Sequence, residues 1–156
     1  MNELVKGHII FDHDGTLVKI GPRQAELFPG MEELLLDLKR QKFELYVWTA
    51  RPRKSALEIL NKLNIASLFT DFYCYDDGMP KPHPLGLEKL TSGIEKNKIL
   101  HIGDSFTDIE GARSYGIDVI AACWNAPDQA DDFAELTPMV ASNLDECKKI
   151  IRGKYV

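Results

Sequence analysis

Cysteine is scarce in this 156-residue chain, with only three in all. Cys74, Cys123 and Cys147 are far apart and form no CxxC or Cys/His ligand spacing, which argues against both a disulfide framework and a zinc cluster; reduced thiols are the expectation. Long apolar runs are missing as well. No stretch reaches the roughly 20 residues a membrane helix needs, and the N-terminal "MNELVKGHII" has no signal-peptide core. The expected setting is therefore the cytoplasm, away from membranes. Nor is there an excess of positive charge: a net charge of -5 gives no long-range pull toward nucleic acid, so any anion site must be local. Repeats, linkers and low-complexity tracts are lacking too, and a hydrophobic content of 44% is ample for one core. A single domain over residues 1–156 is expected.

What is present is an alternation. The β-rich runs "HIIFD", "FELYVWT", "DFYCY", "KILHIGD", "DVIAACW" and "PMVAS" are separated by helical patterns with apolar residues three and four apart. These are "GMEELLLDLKRQ", "RKSALEILNKLN", "PLGLEKLTSG", "FTDIEGARSYG", "DQADDFAEL" and "NLDECKKIIRG". Near-continuous apolar strands joined by helices predict an α/β fold with a mostly parallel central sheet covered on both faces. The irregular segments are "KIGPRQAELFPG" and "DDGMPKPHP", and neither is long enough to be a domain.

In an open parallel sheet, ligands bind beyond the carboxyl ends of the strands, where strand order reverses. Those ends carry Asp12 and Asp14, then Thr49, then Lys81 in the loop after the third strand, then Asp104 and Asp108. Acidic side chains converging on one edge repel each other unless a cation lies among them. Oxygen donors without His or Cys favour magnesium, Mg2+. Gly15 permits a sharp turn and a close backbone approach, and Thr16 offers a hydroxyl and an amide to phosphate. In "ARPRK", Arg51, Arg53 and Lys54 open a helix, and part of this basic cluster is expected to receive an anionic substrate.

Taken singly, each feature has a plainer reading. An Asp pair before Gly is usually a turn former, Thr49 a strand-end or cap residue, Lys81 a solvated loop lysine, and Asp108 an acid stabilising a helix start. His13, His83 and His101 read as hydrogen-bonded structural residues, Trp48 as core, and Phe106 and Trp124 are left undecided. The ordered set outweighs these readings. "DHDGTL", "YVWTAR", "MPKP" and "HIGDSFTD" resemble, in order, the four motifs of the haloacid dehalogenase (HAD) superfamily of phosphohydrolases, and the resemblance covers nearly the whole chain.

The resemblance implies a Rossmann-like three-layer sandwich. It makes Asp12 the nucleophile and Asp14 the general acid/base, with Thr49 and Lys81 holding the phosphate and Gly15, Thr16, Ala50 and Arg51 around the substrate. Asp12, Asp14 through its carbonyl, Asp104 and the more distant Asp108 would hold Mg2+. An acid/base role leads one to expect the carboxyl of Asp14 to ionise less readily than that of Asp12. His13 departs from the mostly apolar residue usual between the two aspartates. No segment has room for a cap domain, so a capless type with an open catalytic face is expected, covered by the substrate or by another subunit in a homo-oligomer. The function so implied is hydrolysis of a small phosphorylated metabolite through an aspartyl phosphate. The alternatives are a non-catalytic phosphate-binding module, a phosphotransferase or a phosphoprotein phosphatase.

Overall fold

Alternation along the strands decides the layering. The computed structural model describes residues 4–155. Its six-stranded sheet contains β1 (Gly7–Phe11), β4 (Phe43–Trp48), β5 (Asp71–Tyr73), β6 (Ile99–Gly103), β7 (Asp118–Ala122) and the short β8 (Val140–Ala141). The strand order is β5-β4-β1-β6-β7-β8, and each neighbouring pair runs parallel. Ile9, Phe11, Leu45, Val47, Leu100 and Ile102 face one side; Ile10, Tyr46, Trp48, Ile99 and Val119 face the other. A side-chain period of two puts each set on its own face.

The first face is covered by α1 (Met31–Arg40), α2 (Arg53–Lys62) and α6 (Leu144–Lys154), through Leu34, Leu35, Leu38, Leu60, Cys147 and Ile151. The second is covered by α3 (Leu85–Leu90), α4 (Phe106–Tyr115) and α5 (Ala130–Ala134), through Leu87, Leu90, Ile109, Ala112 and Phe133. The result is an α/β, Rossmann-like three-layer sandwich with a parallel central sheet. Helix α1 forms because Met31, Leu34, Leu35 and Leu38 make one buried stripe, while Glu32 and Glu33 at its start and Lys39 and Arg40 at its end suit the helix dipole. Each fully buried leucine there is worth about 2 kcal/mol of apolar transfer.

The segment read as irregular after the first strand is instead a hairpin: β2 (Val18–Ile20) pairs antiparallel with β3 (Ala25–Leu27). The strand expected over "PMVAS" shrinks to two residues. All three cysteines are free and buried, and burial pushes the Cys147 thiol up to about 12. No helix among the described residues is long and apolar enough to cross a membrane. Strand β1 lies between β4 and β6, so its carboxyl end sits where the connections part to either side of the sheet, the position at which α/β sheets bind ligands.

Candidate active site

The turn after β1 is fixed from within. The His13 carbonyl accepts from the Leu17 and Val18 amides at 3.0 and 3.1 Å, and the Gly15 amide donates to the Val18 carbonyl at 2.8 Å. Gly15 has φ +81, and a Cβ there would lie 1.9 Å from Asp104 Oδ2. The glycine therefore makes room for Asp104. Gly15 and Thr16 were expected beside the substrate, but neither lines the pocket at this edge. Their amides are spent on the turn, and the Thr16 hydroxyl is buried without a partner. The Thr16 carbonyl accepts from Trp124 Nε1 at 3.0 Å, which gives that tryptophan its place behind the turn.

The pocket encloses about 390 Å³ and is lined by Asp12, Asp14, Thr49, Ala50, Arg51, Lys81 and Asp104, together with Pro52, Ser105 and Thr107. The strand ends thus bring these residues of the expected set to one rim. Ser105 and Thr107 escaped the sequence reading although both stand inside "GDSFTD". Asp12 is buried. Lys81, carried in by the loop after β5, places Nζ 2.8 Å from Asp12 Oδ1 and 2.5 Å from Asp108 Oδ1. The same ammonium stands 4.7 Å from the centre of the Trp48 ring, a cation–π contact. Trp48 is fully buried, as expected; Phe106 is half exposed, its ring 4.8 Å from that of Phe133.

Asp108 is held on every side. Its Oδ1 accepts from Lys81 and from His101 Nε2 at 2.8 Å, and its Oδ2 accepts from the Ser105 amide at 3.1 Å and hydroxyl at 2.7 Å. The Ser105 contacts are the capping box of α4, so Asp108 starts the helix and anchors Lys81 with the same carboxylate. His101, fully buried, donates through Nδ1 to the Ile10 carbonyl at 2.8 Å. Burial raises the affinity of Asp108 for a proton, but the Lys81 charge and the His101 hydrogen bond overcome it and hold the carboxyl well below the usual carboxylate range.

Asp12 and Asp14 differ in the opposite sense to expectation. Burial first, then the Asp108 charge, pushes Asp12 well above the ordinary carboxylate value. Burial acts upward on Asp14 too, yet hydrogen bonds from His13 and Arg51 hold it well below. Arg51 grips both Asp14 oxygens, through Nε at 2.9 Å and Nη2 at 2.8 Å. His13, left open by the sequence, adds Nδ1 at 2.7 Å. Arg53 does not join the site: its guanidinium is taken by Asp77 and the Phe72 carbonyl, with its amide on Asp76. Thr49 Oγ1 accepts from the Arg51 amide at 3.0 Å, leaving its own proton to donate.

The donor set fits a hard cation. Asp12, Asp104 and Asp108 each place a carboxylate oxygen within 4.8 Å of the others, and one lysine faces all that negative charge. Burial also raises Asp104, so a cation would relieve both it and Asp12. A carboxylate has about four lone-pair sites, and those of Asp108 are filled by its protein donors, which leaves Asp12 and Asp104 as the side chains facing the gap. The carboxylate of Asp14 is spent on Arg51 and His13, so its main-chain carbonyl is what it could offer.

A doubly wound parallel sheet with a buried Asp/Lys/Asp cluster at its central strand ends defines a class of acid-and-lysine sites suited to anionic substrates. The chain belongs to the haloacid dehalogenase-like hydrolase family, whose family model matches residues 19–122. It is 29% identical over 138 residues to the N-acetylmuramic acid 6-phosphate phosphatase of Pseudomonas putida, covering 79% of this chain and 62% of that one. With the phosphoglycolate phosphatase of Nitrosococcus oceani it shares 28% over 133 residues, covering 83% and 59% respectively. The chain thus spans about three fifths of the length of these relatives. Its fold is similar to that of a HAD-superfamily hydrolase from Ehrlichia chaffeensis, with a TM-score of 0.78 at 16% identity over 97% of this chain and 99% of that one.

Proposed function

We propose that this chain is a Mg2+-dependent phosphomonoester hydrolase that acts on a small phosphorylated metabolite through an aspartyl-phosphate intermediate. The observation that carries this reading is Lys81 Nζ, held 2.8 Å from Asp12 Oδ1 at the floor of a pocket of about 390 Å³. That volume suits a small ligand, and the relatives named as phosphatases carry names of small phosphorylated compounds. Asp12 and Asp104 would hold Mg2+, which when bound would withdraw charge from the phosphoryl oxygens.

The side chains supply the rest. Asp12 attacks phosphorus as the bond to the leaving oxygen breaks, giving the acyl phosphate. Lys81 balances charge on the transferred group, and the Thr49 hydroxyl donates to one of its oxygens. Asp14, once it has taken up a proton from solvent, gives it to the leaving oxygen. It then takes one from the water that cleaves the aspartyl phosphate, so its carboxyl is restored. A single domain without an inserted cap, its open edge covered by the substrate or by another copy of the chain, completes the proposal.

The test is turnover of p-nitrophenyl phosphate with Mg2+. Asp12→Asn should abolish turnover with the fold intact by circular dichroism, and a chelator should do so reversibly. Full activity in Asp12→Asn would remove Asp12 from the chemistry.

A further inference from the structure

Asp14 reaches the pocket with both oxygens hydrogen-bonded. Oδ1 accepts from His13 Nδ1 and Arg51 Nε, and Oδ2 from Arg51 Nη2. Oδ1 is thus filled, and Oδ2 keeps one open site beside the Arg51 guanidinium. The two partners differ in what holds them. His13 is fully buried, and its Nε2 donates to the Ala56 carbonyl of α2 at 3.2 Å, so the ring is fixed between two acceptors. Arg51 lines the pocket with 23% of its side chain exposed. Beyond Asp14, its guanidinium reaches Ser55 Oγ at a long 3.4 Å. The other pocket-lining cation, Lys81, is 3% exposed and wedged between Asp12 and Asp108.

We propose that Arg51 is an exchangeable clamp: the phosphoryl anion of an incoming substrate takes its guanidinium from Asp14, while His13 keeps the released carboxylate in place for the proton transfers. This rests on the phosphomonoesterase reading of the site. The Nε/Nη2 fork that fits two carboxylate oxygens fits two phosphoryl oxygens equally well. A phosphoryl dianion is also the stronger partner, carrying about twice the charge of a carboxylate. Exchange turns Asp14 Oδ2 toward the pocket. There the freed carboxylate takes up a proton from solvent; as the ester bond breaks, its electron pair stays on the leaving oxygen, which takes that proton from Oδ2. The water that attacks the aspartyl phosphate returns a proton to the same atom. His13 is thus a positioning residue, and Arg51 the group that senses substrate.

The two arms have separate signatures. Inorganic phosphate affinity with Mg2+, read by calorimetry, should fall about tenfold or more in Arg51→Gln, the loss of one charge-assisted fork, and stay unchanged in His13→Leu. Turnover of an alkyl phosphate should fall in His13→Leu about tenfold further than that of p-nitrophenyl phosphate, because only the poor leaving group needs the proton. His13→Gln, whose amide can still donate to Asp14, should restore the ratio. Unchanged phosphate affinity in Arg51→Gln overturns the exchange, and equal slowing of both esters in His13→Leu overturns the positioning role. If the wild type hydrolyses neither ester, the enzymatic reading fails, while the calorimetric comparison still decides whether Arg51 accepts phosphate.

Discussion

Replacing Gly15 by alanine separates the cost of a backbone from the cost of a displaced carboxylate. The new Cβ would meet Asp104 Oδ2 at 1.9 Å and its Cγ at 2.7 Å, where comfortable contact is about 3.5 Å. The atom struck is the end of a side chain, so Asp104 should swing away by about 1.5 Å and the main chain should stay. Gly15 also has φ +81, and an alanine there costs about 1–2 kcal/mol in strain. Gly93 is the built-in control, with φ +80 and nothing within 4 Å of its would-be Cβ. Both variants should therefore lose similar stability in urea, lowering the melting temperature by about 2–8 °C. Only Gly15→Ala should weaken Mg2+ binding in calorimetry, and it should cut turnover about hundredfold, as expected for a catalytic group misplaced by more than 1 Å. If the two variants bind Mg2+ alike, Gly15 does not exist to admit Asp104.

Other outcomes follow from the charges. Asp108→Ala strips Lys81 of one carboxylate and α4 of its capping box, and should cost about 3–5 kcal/mol in urea unfolding; a loss below about 1 kcal/mol would show that Lys81 is anchored elsewhere. Asp14 has a folded value depressed below its ordinary 3.8, so its pairing adds stability above that value and loses it as the pH falls through the folded one. The stability gap between wild type and Arg51→Gln should accordingly stay level near pH 6 and close below about pH 4, read from urea midpoints. Asp12 has the opposite sign: its value is raised chiefly by burial, so its stabilising contribution is present at low pH and lost as the pH rises. In chelator at neutral pH, Asp12→Asn should melt higher than the wild type, and a lower melting temperature would contradict that sign.

The fold was legible because each central strand is a short apolar run and each helix carries one apolar stripe, signals local enough to survive without tertiary knowledge. The hairpin of β2 and β3 was not, since Lys19, Gly21, Pro22 and Arg23 disguise its alternation as a loop. At the site, motif order identified which carboxylates share an edge with Lys81, and the structure gathers Asp12, Asp14 and Asp104 around one pocket. Motif order could not say what each carboxylate touches. Asp14 meets Arg51 from 37 positions away and His101 meets the Ile10 carbonyl across 91. Burial of Asp12, together with the hydrogen bonds that adjacent His13 and distant Arg51 give Asp14, reverses the expected ionisation order.

The carboxylates behind Asp12 are built alike. On one side the Ala56 carbonyl, His13, Asp14 and Arg51 form a chain; on the other the Ile10 carbonyl, His101, Asp108 and Lys81 form its counterpart. Each imidazole lies between a main-chain carbonyl and a carboxylate. What distinguishes the chains is their cationic end. Lys81 is 3% exposed and answers to two carboxylates, whereas Arg51 is 23% exposed and answers to one that is itself 44% exposed. Desolvation makes the first chain expensive to break, because release would strand a buried charge. Water and an incoming anion can compensate the second at little cost. The same sequence of groups thus yields a rigid support for Asp12 on the buried side and a more readily broken contact on the pocket side, with depth of burial deciding which is which.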